Sequence, residues 1–171
     1  PFRSDCLAGK VALVTGGGSG ICFEVTKQLL LHGVVGAVIC GRRESFLARS
    51  SKLLEEGTGQ KCRYKVCDVR DGKACQEVVD YAMKEFGRLD IVVNGAAGNF
   101  LAEARALNPK GFATVIGIDA LGTFNMSNAA YPALSKQSES IIINISATLQ
   151  CPATHWQAHA SAAKAAVDSL T

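Results

Sequence analysis

Short runs of Val and Ile alternate along this chain with segments whose apolar residues recur at helical spacing, and this alternation constrains the fold most tightly. The runs are residues 11–15, 37–40, 62–66, 91–94 and 141–146, short and β-branched enough for strands. Between them Ile21, Val25, Leu29 and Leu30, then Val78, Val79, Ala82, Met83 and Phe86, fall on helix faces. The spacing also predicts a long helix over residues 112–134 and another starting near Gln157. Strands that are apolar on both faces and alternate with helices make a parallel sheet covered on each side. Right-handed crossovers then give an α/β fold, doubly wound and Rossmann-like. No repeat or linker divides residues 1–171, which read as a single domain. The last helical pattern still runs at Thr171, with no Gly, Asn or Pro to end it. Such domains usually carry a further strand, so the sheet is expected to be incomplete at its C-terminal end, leaving the fifth strand an apolar edge.

With 48% hydrophobic and 19% charged residues, the chain can build a core, and global disorder is excluded. Eighteen Lys and Arg against fifteen Asp and Glu leave +3, too weak and scattered for a nucleic-acid protein yet suited to a pocket for phosphorylated ligands. No apolar run approaches the roughly 18 residues of a membrane span. Pro1 opens the chain with neither Met nor a signal-peptide pattern, so residues before it are expected. The seven cysteines, Cys6, Cys22, Cys40, Cys62, Cys67, Cys75 and Cys151, form no Cys-x-x-Cys, and the three histidines show no zinc spacing. Reduced, structural thiols and no metal site are expected.

The first strand runs straight into Gly16, Gly17, Gly18, Ser19, Gly20 and Ile21, followed by a helix. Consecutive glycines let backbone N–H groups approach a pyrophosphate, and the helix N-terminus adds partial positive charge. About 20 residues on, NAD-binding domains usually place an acidic residue on the ribose. Here the second strand ends in Arg42 and Arg43, whose guanidiniums fit the 2′-phosphate of NADP(H). The alternative is a solvated basic turn with Glu44 on the ribose. Asp68 and Val69 follow the third strand, where Asp68 meets the adenine amine. Asn94 and Ala96 follow the fourth, where small residues admit a flat ring. All these turns stand at strand carboxyl ends, where such sheets bind ligands.

From about Gly9 to Thr171 these residues resemble the short-chain dehydrogenase/reductase family. Most members use a Ser, a Tyr and a Lys four residues after it, assisted by an Asn. With Lys164 as that Lys, Ala160 stands at the Tyr, Ala147 at the Ser and Asp119 at the Asn. Ordinary alcohol oxidation, which needs the phenol, is not expected. The departures, together with 96–100, 122–125, 144–149 and 159–168, resemble the peroxisomal 2,4-dienoyl-CoA reductase branch.

That resemblance implies reduction of a 2,4-dienoyl-CoA by NADPH to a 3-enoyl-CoA in unsaturated fatty-acid β-oxidation. Hydride adds to the far end of a conjugated thioester, and a positioned water supplies the proton. Lys164 would hold the nicotinamide ribose, Asp168 orient it, and Asp119 position a water or the Lys. The alternative for Asp168 and Lys164 is a plain surface pair. Arg70 is implied to meet a CoA phosphate, and Phe100 to pack on the diene or anchor its loop. His155, Trp156 and His159 line the acyl pocket or serve packing. Cys22 stands where the family has its third glycine and is expected to crowd the first helix. A peroxisomal location and a homotetramer are implied likewise. Another NADP-dependent reductase of this family, acting on a different enoyl or carbonyl substrate, is the second enzyme reading, and a catalytically inactive nucleotide-binding or interaction protein is the reading of a different class.

Overall fold

A computed structural model describes residues 3–149 and 153–171, so Cys151 lies outside the described residues. The chain runs β1 (Val11–Thr15), α1 (Gly20–Leu31), β2 (Gly36–Gly41), α2 (Glu44–Thr58), β3 (Lys61–Val66), α3 (Gly72–Phe86) and β4 (Ile91–Asn94). It continues through α4 (Pro109–Ile116), a π-helical turn (Gly117–Leu121), α5 (Gly122–Leu134), β5 (Ile141–Asn144) and α6 (Ala158–Leu170). The sheet has the order β3-β2-β1-β4-β5, and every pairing is parallel. The expected doubly wound, Rossmann-like sheet is therefore present.

β1 and β4 are buried along their whole lengths because helices cover both faces. One cluster sets Leu13, Val38 and Val92 against Val78, Val79 and Met126 of α3 and α5. The other sets Ala12, Val14 and Val93 against Leu30 and Leu54 of α1 and α2. This two-sided burial is why the runs read as continuous rather than alternating. β3 and β5 are the exceptions: they form the two sheet edges, and in β5 Ile141 and Ile143 are exposed.

Three details depart from the expectations. α1 buries Cys22, Thr26 and the expected Leu30 most deeply, with Val25 and Leu29 packed against the same cluster, while Ile21 is exposed. Thr26 can face the core because its hydroxyl donates to the Cys22 carbonyl at 2.7 Å. The long helix begins earlier, at Pro109, where the Asn108 side chain accepts from the Gly111 N–H at 2.7 Å, and proline suits a first helical position. Finally, β5 ends at Asn144. The Ile145 N–H still donates to the Asn94 carbonyl at 2.9 Å, after which Ser146 turns toward the carboxyl ends of the strands. No helix among the described residues is long and apolar enough to cross a membrane.

Asp90, fully buried, joins the amino ends of the central strands β1 and β4. One carboxylate oxygen accepts from the Val11 N–H and from Arg88 Nε, each at 2.9 Å, and the other from Arg88 Nη2 at 2.6 Å. Burial pushes the carboxyl up, but the Arg88 and Val11 donors outweigh it and hold it below the usual aspartate value. A lowered folded value contributes stability that is present above the unfolded pKa and lost as pH falls through the folded one. Asp90→Asn should therefore lower unfolding free energy by about 2 kcal/mol near neutral pH. Urea unfolding should show that gap narrowing below about pH 4; a gap of constant size would contradict the account.

Candidate active site

The strand order reverses between β1 and β4, and the crevice at such a switch point is where open parallel sheets bind ligands. A cleft of about 440 Å³ opens there. Thr15, the last residue of β1 and buried, fixes its rim: its hydroxyl accepts from the Gly95 and Ala96 N–H groups at 3.0 Å each. Gly16 then leaves the strand with φ +73°, a conformation that side-chain-bearing residues rarely adopt. A Cβ there would also stand 3.0 Å from the Gly95 carbonyl oxygen. The turn is tied to α2 by the Ser50 hydroxyl, which donates to the Gly18 carbonyl at 2.7 Å. Ser19 occupies the N-cap of α1, but its side chain makes no capping bond, leaving first-turn amides available to an anion.

Gly16, Gly18, Ser19, Ile21, Arg42, Arg43, Asp68, Val69, Ala96 and Lys164 line the cleft together. Gly17 and Gly20 shape the turn from outside that lining. Arg43 lies 4.0 Å over the Phe46 ring, a cation–π contact that steadies it at the cleft mouth. The Arg70 guanidinium, hydrogen-bonded to the Asp68 carboxylate at 2.9 and 3.1 Å through Nε, holds that carboxyl below its usual value. Asn94, expected to face the cofactor, instead bridges the sheet: its amide donates to Ser127 and Asn144 side chains at 2.9 Å each. Being buried between two strands, it turns away from the cleft, and its own Oδ1 has no partner.

Lys164 reaches the cleft from α6. Its ammonium lies 3.1 Å from Asp119 Oδ2 and donates to the Ile145 carbonyl at 3.0 Å. Asp119 sits in the π-helical turn, nearly fully buried, and its other oxygen accepts from the Gly98 N–H at 2.8 Å. π-helical turns recur at functional sites. Asp168 lies one turn beyond Lys164 and is exposed. Ala160, at the missing phenol, is buried against Val115 and Ala163, and Ala147 is exposed. Tyr64, Tyr81 and Tyr131 are absent from the cleft lining, which does include the hydroxyl-bearing Ser146.

Phe100 stacks on His159, with ring centroids 4.4 Å apart, and its carbonyl lies 2.9 Å from His159 Nε2. His159 is fully buried, its ring packed on Phe100. His155 and Trp156 are exposed, and Trp156 takes φ 60°, so burial does not explain that ring. Sequence reasoning missed Thr15, Phe46, Leu47, Ile118, Ile145 and Ser146. Only Thr15 left a signal, as a polar residue ending an apolar strand.

This arrangement defines a dinucleotide-binding fold with a lysine on its cofactor cleft, the architecture of nicotinamide-dependent oxidoreductases. The chain matches the short chain dehydrogenase family over residues 10–171 and belongs to that family. It is 47% identical over 179 residues to the peroxisomal 2,4-dienoyl-CoA reductase [(3E)-enoyl-CoA-producing] of Arabidopsis thaliana, an alignment covering 100% of this chain and 59% of the relative. The protein of the same name from Rattus norvegicus is 45% identical over 170 residues, covering 99% of this chain and 58% of the relative. The chain thus spans somewhat over half the length of these relatives. A short chain dehydrogenase structure from Mycobacterium smegmatis superposes with a TM-score of 0.92 at 28% identity, covering 99% of this chain and 71% of that one.

A Cβ at Gly95 would stand 2.1 Å from the Cys22 sulfur, so the thiol fills space that Gly95 leaves open. Burial raises that thiol against the opposing pull of Lys164. Gly95→Ala should cost about 1–3 kcal/mol through overpacking, and Cys22→Gly in the same chain should recover most of it. Thermal melts of the two single variants and the double variant measure the coupling; purely additive losses would show that the two positions do not share this space.

Proposed function

We propose that this protein reduces 2,4-dienoyl-CoA thioesters with NADPH to (3E)-enoyl-CoA, in the β-oxidation of unsaturated fatty acids. The observation that carries the reading is Lys164: its ammonium lies on the cleft wall, paired with buried Asp119, where no phenol lines the cleft. The names of the relatives support the same chemistry. Their names likewise support a peroxisomal location. A homo-oligomer, tetrameric by resemblance, belongs to the same proposal.

The residues present fit the dinucleotide, given the uncapped α1 N-terminus and the glycine turn. Gly16, Gly17, Gly18, Ser19, Gly20 and Ile21 hold the pyrophosphate, and Arg42 and Arg43 take the 2′-phosphate. Asp68 accepts from the adenine amine, Val69 flanks that ring, and Ala96 lets the nicotinamide lie close to the backbone. Asn94 acts one step back by fixing the strand that carries it. When bound, NADPH supplies a hydride.

Lys164 binds the nicotinamide ribose and places positive charge near the thioester as its oxygen gains negative charge. Asp119 is a positioning residue: it fixes the ammonium and, through Gly98, the loop after β4. Asp168 helps set α6 from the next turn. A water held beside Lys164 delivers the proton, so a phenol is unnecessary. Phe100, propped by His159, offers its exposed ring to the diene, and Arg70 meets a CoA phosphate.

Substrate-dependent loss of NADPH absorbance with 2,4-decadienoyl-CoA tests this reading. Lys164→Ala should lower kcat by at least about 100-fold, the loss of one preorganised charge. A protein that holds NADPH tightly yet reduces no dienoyl thioester would instead be a nucleotide-binding protein. Replacing Arg42 and Arg43 together by Ala should weaken NADPH binding by at least about tenfold, with NADH affinity nearly unchanged. Equal losses for the two cofactors would return the ribose contact to Glu44.

A further inference from the structure

Three thiols meet beneath the adenine end of the cleft, and the proposed reaction uses none of them. Cys40 is the next-to-last residue of β2, Cys67 follows β3, and Cys75 lies near the start of α3; all three belong to one buried cluster. The Cys67 N–H donates to the Gly41 carbonyl at 2.8 Å, which clamps the two strand ends side by side. Cys40 and Cys67 thus stand on adjacent strand ends, and the neighbouring Cys40 and Cys75 thiols pull the Cys67 thiol below its ordinary value. Cys75 also donates to the Val69 carbonyl at 3.5 Å. Cys40 and Cys67 line the cleft, and Cys75 does not. Among the described residues, no group of three or more His, Cys, Asp and Glu side chains is placed to hold a metal ion.

We propose that Cys40 and Cys67 form a peroxide-oxidisable dithiol whose disulfide closes the adenine end of the cleft and releases the dinucleotide. Both residues border the cleft, Cys67 with 2% of its surface exposed and Cys40 with none, so a small oxidant meets Cys67 first, where the adenine would otherwise lie. Hydrogen bonds from both neighbouring thiols favour the Cys67 thiolate, against burial and the nearby Asp68 and Asp71 charges. The Cys67 thiolate attacks a peroxide oxygen, the O–O bond breaks, and one water leaves as a sulfenic acid forms. The Cys40 sulfur then attacks that sulfur, the S–O bond breaks, and its proton departs in a second water. Two thiols and one hydrogen peroxide thus become one disulfide and two waters, the sulfurs giving up two electrons and the peroxide accepting them.

The consequence for the cofactor is geometric. A covalent bond holds two sulfurs closer than a thiol hydrogen bond does, so it draws the ends of β2 and β3 together. Those ends carry Arg42, Arg43 and Asp68, the groups assigned to the 2′-phosphate and the adenine. This step rests on reading the cleft as a dinucleotide site; formation of the bond itself does not.

The test exposes the reduced 171-residue chain to hydrogen peroxide, with and without saturating NADPH, followed by non-reducing peptide mapping. Exposed Cys6 serves as the internal reference for oxidant strength. A linked Cys40–Cys67 peptide is expected; NADPH should suppress it, Cys67→Ser should abolish it and Cys75→Ser should retain it. NADPH affinity should fall by at least about tenfold in the linked protein, the loss of a charge-assisted contact, and return with dithiothreitol. A link from Cys67 to Cys75 instead, both thiols still free once Cys6 is fully oxidised, or a linked protein that binds NADPH undiminished would each overturn the proposal. If the reduced chain binds no NADPH, the dinucleotide reading fails and the release step with it, while the peptide map separately decides the bond.

Discussion

The Lys164 ammonium holds the site together. It is largely buried, and a cation taken out of water is tolerated only when its donors meet well-placed acceptors. It meets the Asp119 carboxylate and the Ile145 carbonyl, so α6, the π-helical turn and the end of β5 converge on one charge. Asp119 extends the linkage through its second oxygen to the Gly98 N–H, bringing in the loop after β4. Segments distant in sequence are thereby fixed relative to the cleft by a single hydrogen-bonded pair. Such a pair is a weak source of stability, since apolar packing of equal volume often does as well. What it offers is position, which a reacting site needs more than stability.

A second anchor works from the other side. Where parallel strands end the ladder stops, and the amides of the loops leaving them need other partners. The Thr15 hydroxyl accepts two backbone amides from the loop after β4, joining β1 to β4 where the strand order reverses. With Gly16 bending the chain away, the α1 N-terminus is left facing the cleft without a side-chain cap. The local rule that helix starts take capping side chains is broken at the place where an anionic ligand can satisfy it instead.

Much of this was legible from residue order alone. β1 and β4 are buried on both faces, so their apolar runs have sharp ends, and their predicted bounds coincide with the observed ones. β5 is an edge whose Ile run continues past the last ladder bond, and hydrophobicity cannot register where pairing stops. On α1, Val25, Leu29 and Leu30 pack on the core as read, whereas Thr26 was overlooked because it satisfies its hydroxyl within the helix and so behaves as a core residue. At the site, the cleft-lining glycines, arginines and Lys164 were readable from their positions at strand and helix ends. The Cys22–Gly95 complementarity was not, since it depends on volumes that meet only in three dimensions. Asn94 illustrates the same limit: an amide at a strand end reads as a ligand contact until a neighbouring strand is seen to claim it.

The π-helical turn shows why Asp119 could be located in sequence but not aimed. An unbroken α-helix from Pro109 to Leu134 would present one continuous stripe, with each residue rotated about 100° from the last. The two halves here have different obligations. α4 packs Val115 against Ala160 and Ala163 of α6, whereas α5 packs Met126, Ala130 and Ala133 into the cluster containing Val78 and Val79 of α3. A π-helical turn accommodates one extra residue and so rotates everything after it relative to everything before. Inserted at Gly117–Leu121, it lets each half satisfy its own neighbour. The same rotation leaves Asp119 buried at the joint, facing Lys164 rather than solvent. The carboxylate that positions the lysine is therefore placed by a packing mismatch between two other helices, which no periodicity read along residues 109–134 contains.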